Sequence, residues 1–196
     1  DRAVRQAARD HAEEKRLEKT LRAIDTYRRE QKLNAQLIVV DDGSVDGTVR
    51  LARQLAVQIE GLQVITTEKN KGKGNAVKLG VCASSGRWVL FMDADHSTPI
   101  AELSALRRAM EDKNADLAIG SRYLKNSRVE IKQTPFRILI GRVGNFLIRS
   151  VIIDGIQDSQ CGFKLFKGAV ARDIFAYTRV KRLGFDIEVL AIADLR

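Results

Sequence analysis

Apolar residues change their spacing along this chain in a repeating order. Over residues 13–32, Leu17, Leu21 and Ile24 recur at helical spacing among charges, which predicts an amphipathic helix. QLIVV (36–40) is a short β-branched run and predicts a buried strand. Val49, Ala52, Leu55 and Ala56 then share one helical face. LQVIT (62–66) predicts a second strand, NAVKLGVCAS a helix, and RWVLFM (87–92) a third strand. Pro99 suits the first turn of a helix over PIAELSALRRAM, and DLAIG (116–120) predicts a fourth strand. Strands alternating with helices predict an α/β fold: a mostly parallel sheet flanked by helices. In such sheets the ligand crevice lies beyond the carboxyl ends of the strands.

Beyond residue 120 the alternation stops. A basic loop leads to FRILIGRVGNFLIRSVII (136–153), then IQDSQCGFKLF, a helix near 168–177 and another from about 184. The 136–153 segment fits a core helix with arginines at its margins. It fits equally a helix lying in a membrane interface, its arginines on lipid phosphates. Arg142 and Arg149, seven residues apart, share a face in either case. No Pro/Gly/Ser-rich linker and no internal repeat divides the chain, so one domain is expected over 13–196 after an atypical charged arm at 1–12.

Composition narrows the setting. The 196 residues suffice for one sizeable core. Cys82 and Cys161 sit in unrelated contexts, which argues against a disulfide framework and for a reducing compartment. No apolar run has the length of a membrane span and no signal peptide is recognisable; residue 1 is Asp, so a native start upstream is expected. The net charge of +9 is uneven: residues 121–150 hold seven Lys/Arg against one acid, Glu130, a local net of +6. Such a patch suits phosphates, nucleic acid or an anionic membrane face, or is a solvated surface. The aromatic platform expected of a single-strand nucleic-acid binder is absent, so no nucleic-acid partner is expected.

The strand ends carry the chemistry. Asp41 and Asp42 close the first strand in VDDGSVDGT, where adjacent carboxylates repel and resist desolvation. Asp, Gly and Ser make good turns, which accounts for DGSVDGT but not for Asp41. Asp93 and Asp95, the D-x-D of DADHSTP, leave the third strand; this spacing suits a hard divalent cation or, alternatively, a turn with capping acids. KNKGKGNAVKLG enters a helix with Lys71, Lys73, Gly72 and Gly74, a phosphate-binding pattern or a plain basic loop; it matches neither a Walker loop nor a dinucleotide fingerprint. Arg122 in SRY ends the fourth strand, suited to phosphate or to pairing with a neighbouring acid. Asp158 in QDSQCGF is a candidate general base or a loop acid bound to backbone. His11 and His96 form no metal-ligand spacing.

VDDGSVDGT, KGKGNAVKLG, DADHSTP, GSRY and QDSQCGFKLF, in this order, resemble the family-2 glycosyltransferases of the GT-A fold. The nearest branch loads sugars onto polyprenyl phosphates: dolichyl- and polyprenyl-phosphate β-glucosyltransferases first, the related mannosyltransferases second. The resemblance runs from about residue 13 to 195. It implies a nucleotide-sugar donor, UDP-glucose foremost, with Mg2+ or Mn2+, and inverting transfer to a polyprenyl phosphate at the cytosolic face of a membrane. By the same resemblance, Asp41 and Asp42 contact the nucleoside, with Lys73 and Gly74 in the donor-binding loop. Asp93 and Asp95 hold ribose and the metal-bridged diphosphate. Arg122 and Arg137 grip the lipid phosphate, and Asp158 occupies the position of a catalytic carboxylate. Two other readings stay open: a GT-A transferase acting on a saccharide hydroxyl, with Asp158 as true base, or an inactive fragment. Family members begin with an apolar strand before the first helix. Here DRAVRQAARDH stands in its place, which predicts an exposed sheet edge or a gap. The chain stops at EVLAIADLR, where relatives continue, so a truncated form is expected.

Overall fold

The computed structural model describes residues 2–95, 97–121, 158–182 and 184–195, with side chains from residue 13 onward. In chain order the elements are α1 (Arg2–Glu30), β1 (Leu37–Asp41), α2 (Thr48–Gln58), β2 (Leu62–Thr66), α3 (Lys73–Ala83) and β3 (Trp88–Met92). A 3-10 turn (Ile100–Glu102) follows, then α4 (Leu103–Asp112), β4 (Leu117–Ile119), β5 (Phe163–Lys167), α5 (Gly168–Tyr177) and α6 (Phe185–Asp194). The four strands read from apolar runs are all present. Pro99 precedes the 3-10 turn rather than opening an α-helix directly, and α3 starts at Lys73, within the predicted loop.

The α/β fold is as expected, with a small parallel sheet and flanking helices, and among the described residues the strands are divided. The described strands form two sheets: a parallel pair, β1–β2, and a three-stranded sheet in which β5 lies between β3 and β4, antiparallel to both. β1 and β2 run in register from Leu37 opposite Leu62 to Asp41 opposite Thr66. β5 was not foreseen as a strand because Lys164 interrupts its apolar run. Residues 163–166 are nonetheless all buried, with Lys164 and Phe166 on one face and Phe163 and Leu165 on the other.

The core is divided in the same way. Leu17 and Leu21 of α1 pack with Leu37, Ala52, Leu55, Ile59 and Leu62 around the parallel pair. Val81, Val89, Phe166, Ile174, Phe175, Phe185 and Val189 form a second cluster around β3 and β5. Between them lies a cavity of about 550 Å3, lined by both β1 and β3. The Thr20 hydroxyl of α1 spans it by donating to the Ala94 carbonyl (2.9 Å), and Ser85 reaches Gln36 Oε1 across the other end (3.2 Å).

Candidate active site

β1 delivers Asp41 and Asp42 to its carboxyl end, and the chain itself supplies partners for both. Asp41 is buried, and its Oδ2 accepts the Gly43 and Ser44 amides, each at 3.1 Å. Those two bonds offset the water lost on burial, which explains the acid that turn propensity alone left unexplained. Asp42 reaches the Gly–Lys loop. Its Oδ2 accepts the Gly72 amide at 2.6 Å, and its Oδ1 accepts the Lys71 amide at 3.0 Å and the Thr67 hydroxyl at 3.2 Å. Gly43 permits the close approach: its φ is +77°, and a Cβ there would stand 2.8 Å from the Asn70 nitrogen.

That clamp sets the start of α3. A Cβ on Gly74 would lie 2.5 Å from the Val180 carbonyl oxygen and 2.6 Å from Phe185 Cβ. Gly74, expected to bind the donor, is thus packed against Val180, Lys181 and Phe185. Lys73 extends toward β3, where its Nζ lies 2.7 Å from Asp93 Oδ1, both side chains about one-third exposed (38% and 33%). The ammonium also stands 5.5 Å from the Phe91 ring centroid and 6.0 Å from that of Phe185, within cation–π range. The Asp93 amide donates to the Gly162 carbonyl at 2.8 Å. Gly162 has no side chain where Asp93 has its carboxylate: a Cβ there would be 2.0 Å from Oδ2. Three separate motifs therefore meet at Asp93.

The four strand-end carboxylates do not gather into one cluster. Among the described residues no group of three or more His, Cys, Asp or Glu is placed to hold a metal ion. Asp95 is exposed, and its Oδ1 accepts the Ser97 amide at 3.0 Å and the Ser97 hydroxyl. A donor set of one or two carboxylates still fits Mg2+ or Mn2+ where substrate phosphates complete the shell. Asp158 is 1% exposed, on the turn that leads into β5. Arg122 and Arg137, His96 and the 136–153 segment lie outside the described residues, as does the basic stretch beyond Ser121.

Two residues beside the site went unnoticed in the sequence. Lys164, 1% exposed, donates to the Cys161 carbonyl at 2.6 Å and forms an ion pair with Asp186, itself 5% exposed at the start of α6. Burial pushes the Asp186 carboxyl above its ordinary range, although Lys164 and, more weakly, Lys73 pull it down. Lys164 also stands 5.7 Å from the Phe91 ring centroid, so Phe91 is approached by both lysines. The available signals were a lysine on a strand face shared with Phe166, and an acid inside the apolar run FDIEVL.

The profile of the Glycosyl transferase family 2 matches residues 11–175, and the chain belongs to that family. Its architecture is the GT-A fold. The chain is 34% identical over 174 residues to the human dolichyl-phosphate β-glucosyltransferase, covering 85% of this chain and 54% of that protein. The corresponding Drosophila melanogaster enzyme is 35% identical over 167 residues, covering 81% and 51%. The chain thus spans about half the length of these relatives. Among solved structures, Staphylococcus aureus TarS superposes with a TM-score of 0.59 at 17% identity, covering 92% of this chain and 52% of that one. Mycobacterium tuberculosis glucosyl-3-phosphoglycerate synthase, crystallised with Mn2+, UDP-glucose and phosphoglyceric acid, gives a TM-score of 0.58 at 17% identity, covering 86% and 59%. No helix among the described residues is long and apolar enough to cross a membrane.

Proposed function

We propose that this chain carries out inverting transfer of glucose from UDP-glucose to dolichyl phosphate or another polyprenyl phosphate at a cytosolic membrane face. The observation that carries the reading is the meeting of KGKG, DAD and QDSQCGF at Asp93, where Lys73 supplies the cation and Gly162 the space. Likeness to dolichyl-phosphate β-glucosyltransferases over more than four-fifths of the chain supports the lipid acceptor.

In this reading Asp93 and Asp95 hold Mg2+ or Mn2+, which neutralises charge on the departing diphosphate when bound. Lys73 remains beside Asp93 as a second positive charge facing the donor phosphates. Asp42 fixes the loop that carries it, so the ammonium is positioned before the donor arrives. A phosphate monoester is largely ionised at neutral pH, so the acceptor needs alignment more than deprotonation. Asp158, buried in its turn, serves to orient rather than to take a proton, and Arg122 and Arg137 bind the acceptor phosphate.

Radiolabelled UDP-glucose supplied with dolichyl phosphate or with an oligosaccharide tests this. Label in the lipid phase alone supports the reading. Label on the oligosaccharide transfers the assignment to a saccharide hydroxyl, with Asp158 as base. No transfer to either acceptor contradicts an active enzyme.

A further inference from the structure

The turn before β5 carries Asp158, meets Asp93, and is held at two consecutive carbonyls. The Gly162 carbonyl accepts the Asp93 amide at 2.8 Å, one step beyond the Met92–Phe163 pair of the ladder. Cys161 lies beyond the paired residues, and its carbonyl accepts the buried Lys164 ammonium at 2.6 Å. Lys164 sits opposite Phe91 in the register and forms its ion pair with Asp186 at the start of α6. Asp186 is anchored in turn. Within α6 the Glu188 carboxylate accepts the Arg179 and Val180 amides at 2.9 and 2.8 Å, and the Lys181 carbonyl accepts the Asn75 amide of α3 at 3.2 Å.

Core stability does not account for this pair. Two charges taken out of water regain their desolvation cost only with excellent geometry, and apolar residues of similar volume often serve a core as well or better. β5 uses such residues at Phe163, Leu165 and Phe166, all buried. An apolar side chain cannot donate to the Cys161 carbonyl, and a buried carbonyl is costly to leave unpaired. Lysine brings a donor on a long stem, and the Asp186 carboxylate strengthens and aims it. Both functional parts of the turn meet at that residue. The Cys161 amide donates to the Asp158 carbonyl at 3.4 Å, and Gly162, next in the chain, leaves the space that the Asp93 carboxylate fills.

We propose that Lys164 and Asp186 are positioning residues: the pair fixes the 158–162 turn and, through it, Asp158 and Asp93, the carboxylates on which transfer depends. Both are buried, at 1% and 5% exposure, so they act through the turn and not on substrate. The inference rests on the glucosyl-transfer reading, in which alignment of donor and acceptor sets the rate.

The double variant Lys164→Met with Asp186→Ala tests it in the full chain. Both charges are replaced by apolar groups no larger than the originals, so no buried charge is left unpaired, and the urea midpoint is expected close to that of the unaltered chain and above that of Lys164→Met alone. The turn is nonetheless expected to loosen. Hydrogen exchange at the Asp93 amide should speed up by roughly tenfold or more, while Val89 and Phe166, paired farther along the ladder, stay unchanged. At saturating UDP-glucose, kcat for transfer to dolichyl phosphate should fall by roughly tenfold or more. A role in stability alone would move neither readout once the midpoint is restored. Should the double variant not fold, Asp186→Asn, which keeps the shape and removes the charge, is read in the same way. Unchanged exchange at Asp93, or faster exchange with kcat equal to that of the unaltered chain, would overturn the proposal. If the unaltered chain transfers no glucose, the glucosyl-transfer reading fails; faster Asp93 exchange in the variant still supports the positioning, and unchanged exchange overturns it.

Discussion

The Lys73 ammonium lies 2.7 Å from Asp93 Oδ1, so the Gly–Lys loop already balances the first carboxylate of the D-x-D triplet. Asp42 fixes the preceding two amides of that loop, at Lys71 and Gly72. The carboxyl ends of β1 and β3 are thereby linked through a loop and one ion pair, although the two strands do not pair. Asp93→Asn keeps the size of the side chain and removes its charge. Transfer is expected to fall by about 10²-fold or more, the scale seen when one preorganised electrostatic group is lost. Circular dichroism should be unchanged, since the side chain is part-exposed. Labelled transfer to dolichyl phosphate measures the first and a thermal melt the second.

Gly162 gives a test of position rather than charge. Its replacement by alanine places a methyl 2.0 Å from Asp93 Oδ2, well inside contact distance, so the carboxylate must swing away from Lys73. Gly162→Ala is expected to reduce transfer at least tenfold (about 1.4 kcal/mol) with every charged residue retained. Turnover equal to the unaltered chain would show that the position of Asp93 does not matter.

Asp42→Ala strips the acceptor from the Lys71 and Gly72 amides and from the Thr67 hydroxyl. The expected cost is about 1–3 kcal/mol in urea denaturation. The KM for the donor should also rise, because the loop that carries Lys73 loses its anchor. A stability loss with an unchanged donor KM would confine Asp42 to folding.

The Lys164–Asp186 pair predicts a pH signature. Burial holds the Asp186 carboxyl above its ordinary value of 3.8, despite Lys164. The folded chain therefore binds more protons than the unfolded chain between 3.8 and the raised value. Its contribution to stability is fully present below 3.8 and is lost as pH rises through the raised value. Lys164→Met, which leaves a buried carboxylate unpaired, is expected to cost about 3–5 kcal/mol at neutral pH and less in acid, where Asp186 is protonated. Urea midpoints across pH measure both effects.

The sequence carried much of this because its signals were local. Apolar runs marked β1 to β4, and the acids that follow β1 and β3, Asp41, Asp42, Asp93 and Asp95, could be read directly. What it did not show depends on tertiary context. β5 hid behind Lys164, whose charge is compensated by Asp186, 22 residues away in sequence. Gly74 looked like a ligand-loop glycine and Gly162 gave no signal of its own, yet their small size serves the packing of Val180 and Phe185 and of Asp93. The turn amides held by Asp41 and Asp95 were likewise hidden, being partners that spacing alone does not show.

Calorimetric titration of UDP-glucose into the purified chain with Mn2+, compared between the unaltered protein and Asp93→Asn, addresses the donor site most directly. The account predicts saturable heat for the unaltered chain, little for GDP-mannose, and loss of the UDP-glucose signal in the variant. Undiminished UDP-glucose binding by Asp93→Asn, or none by the unaltered chain, would contradict it.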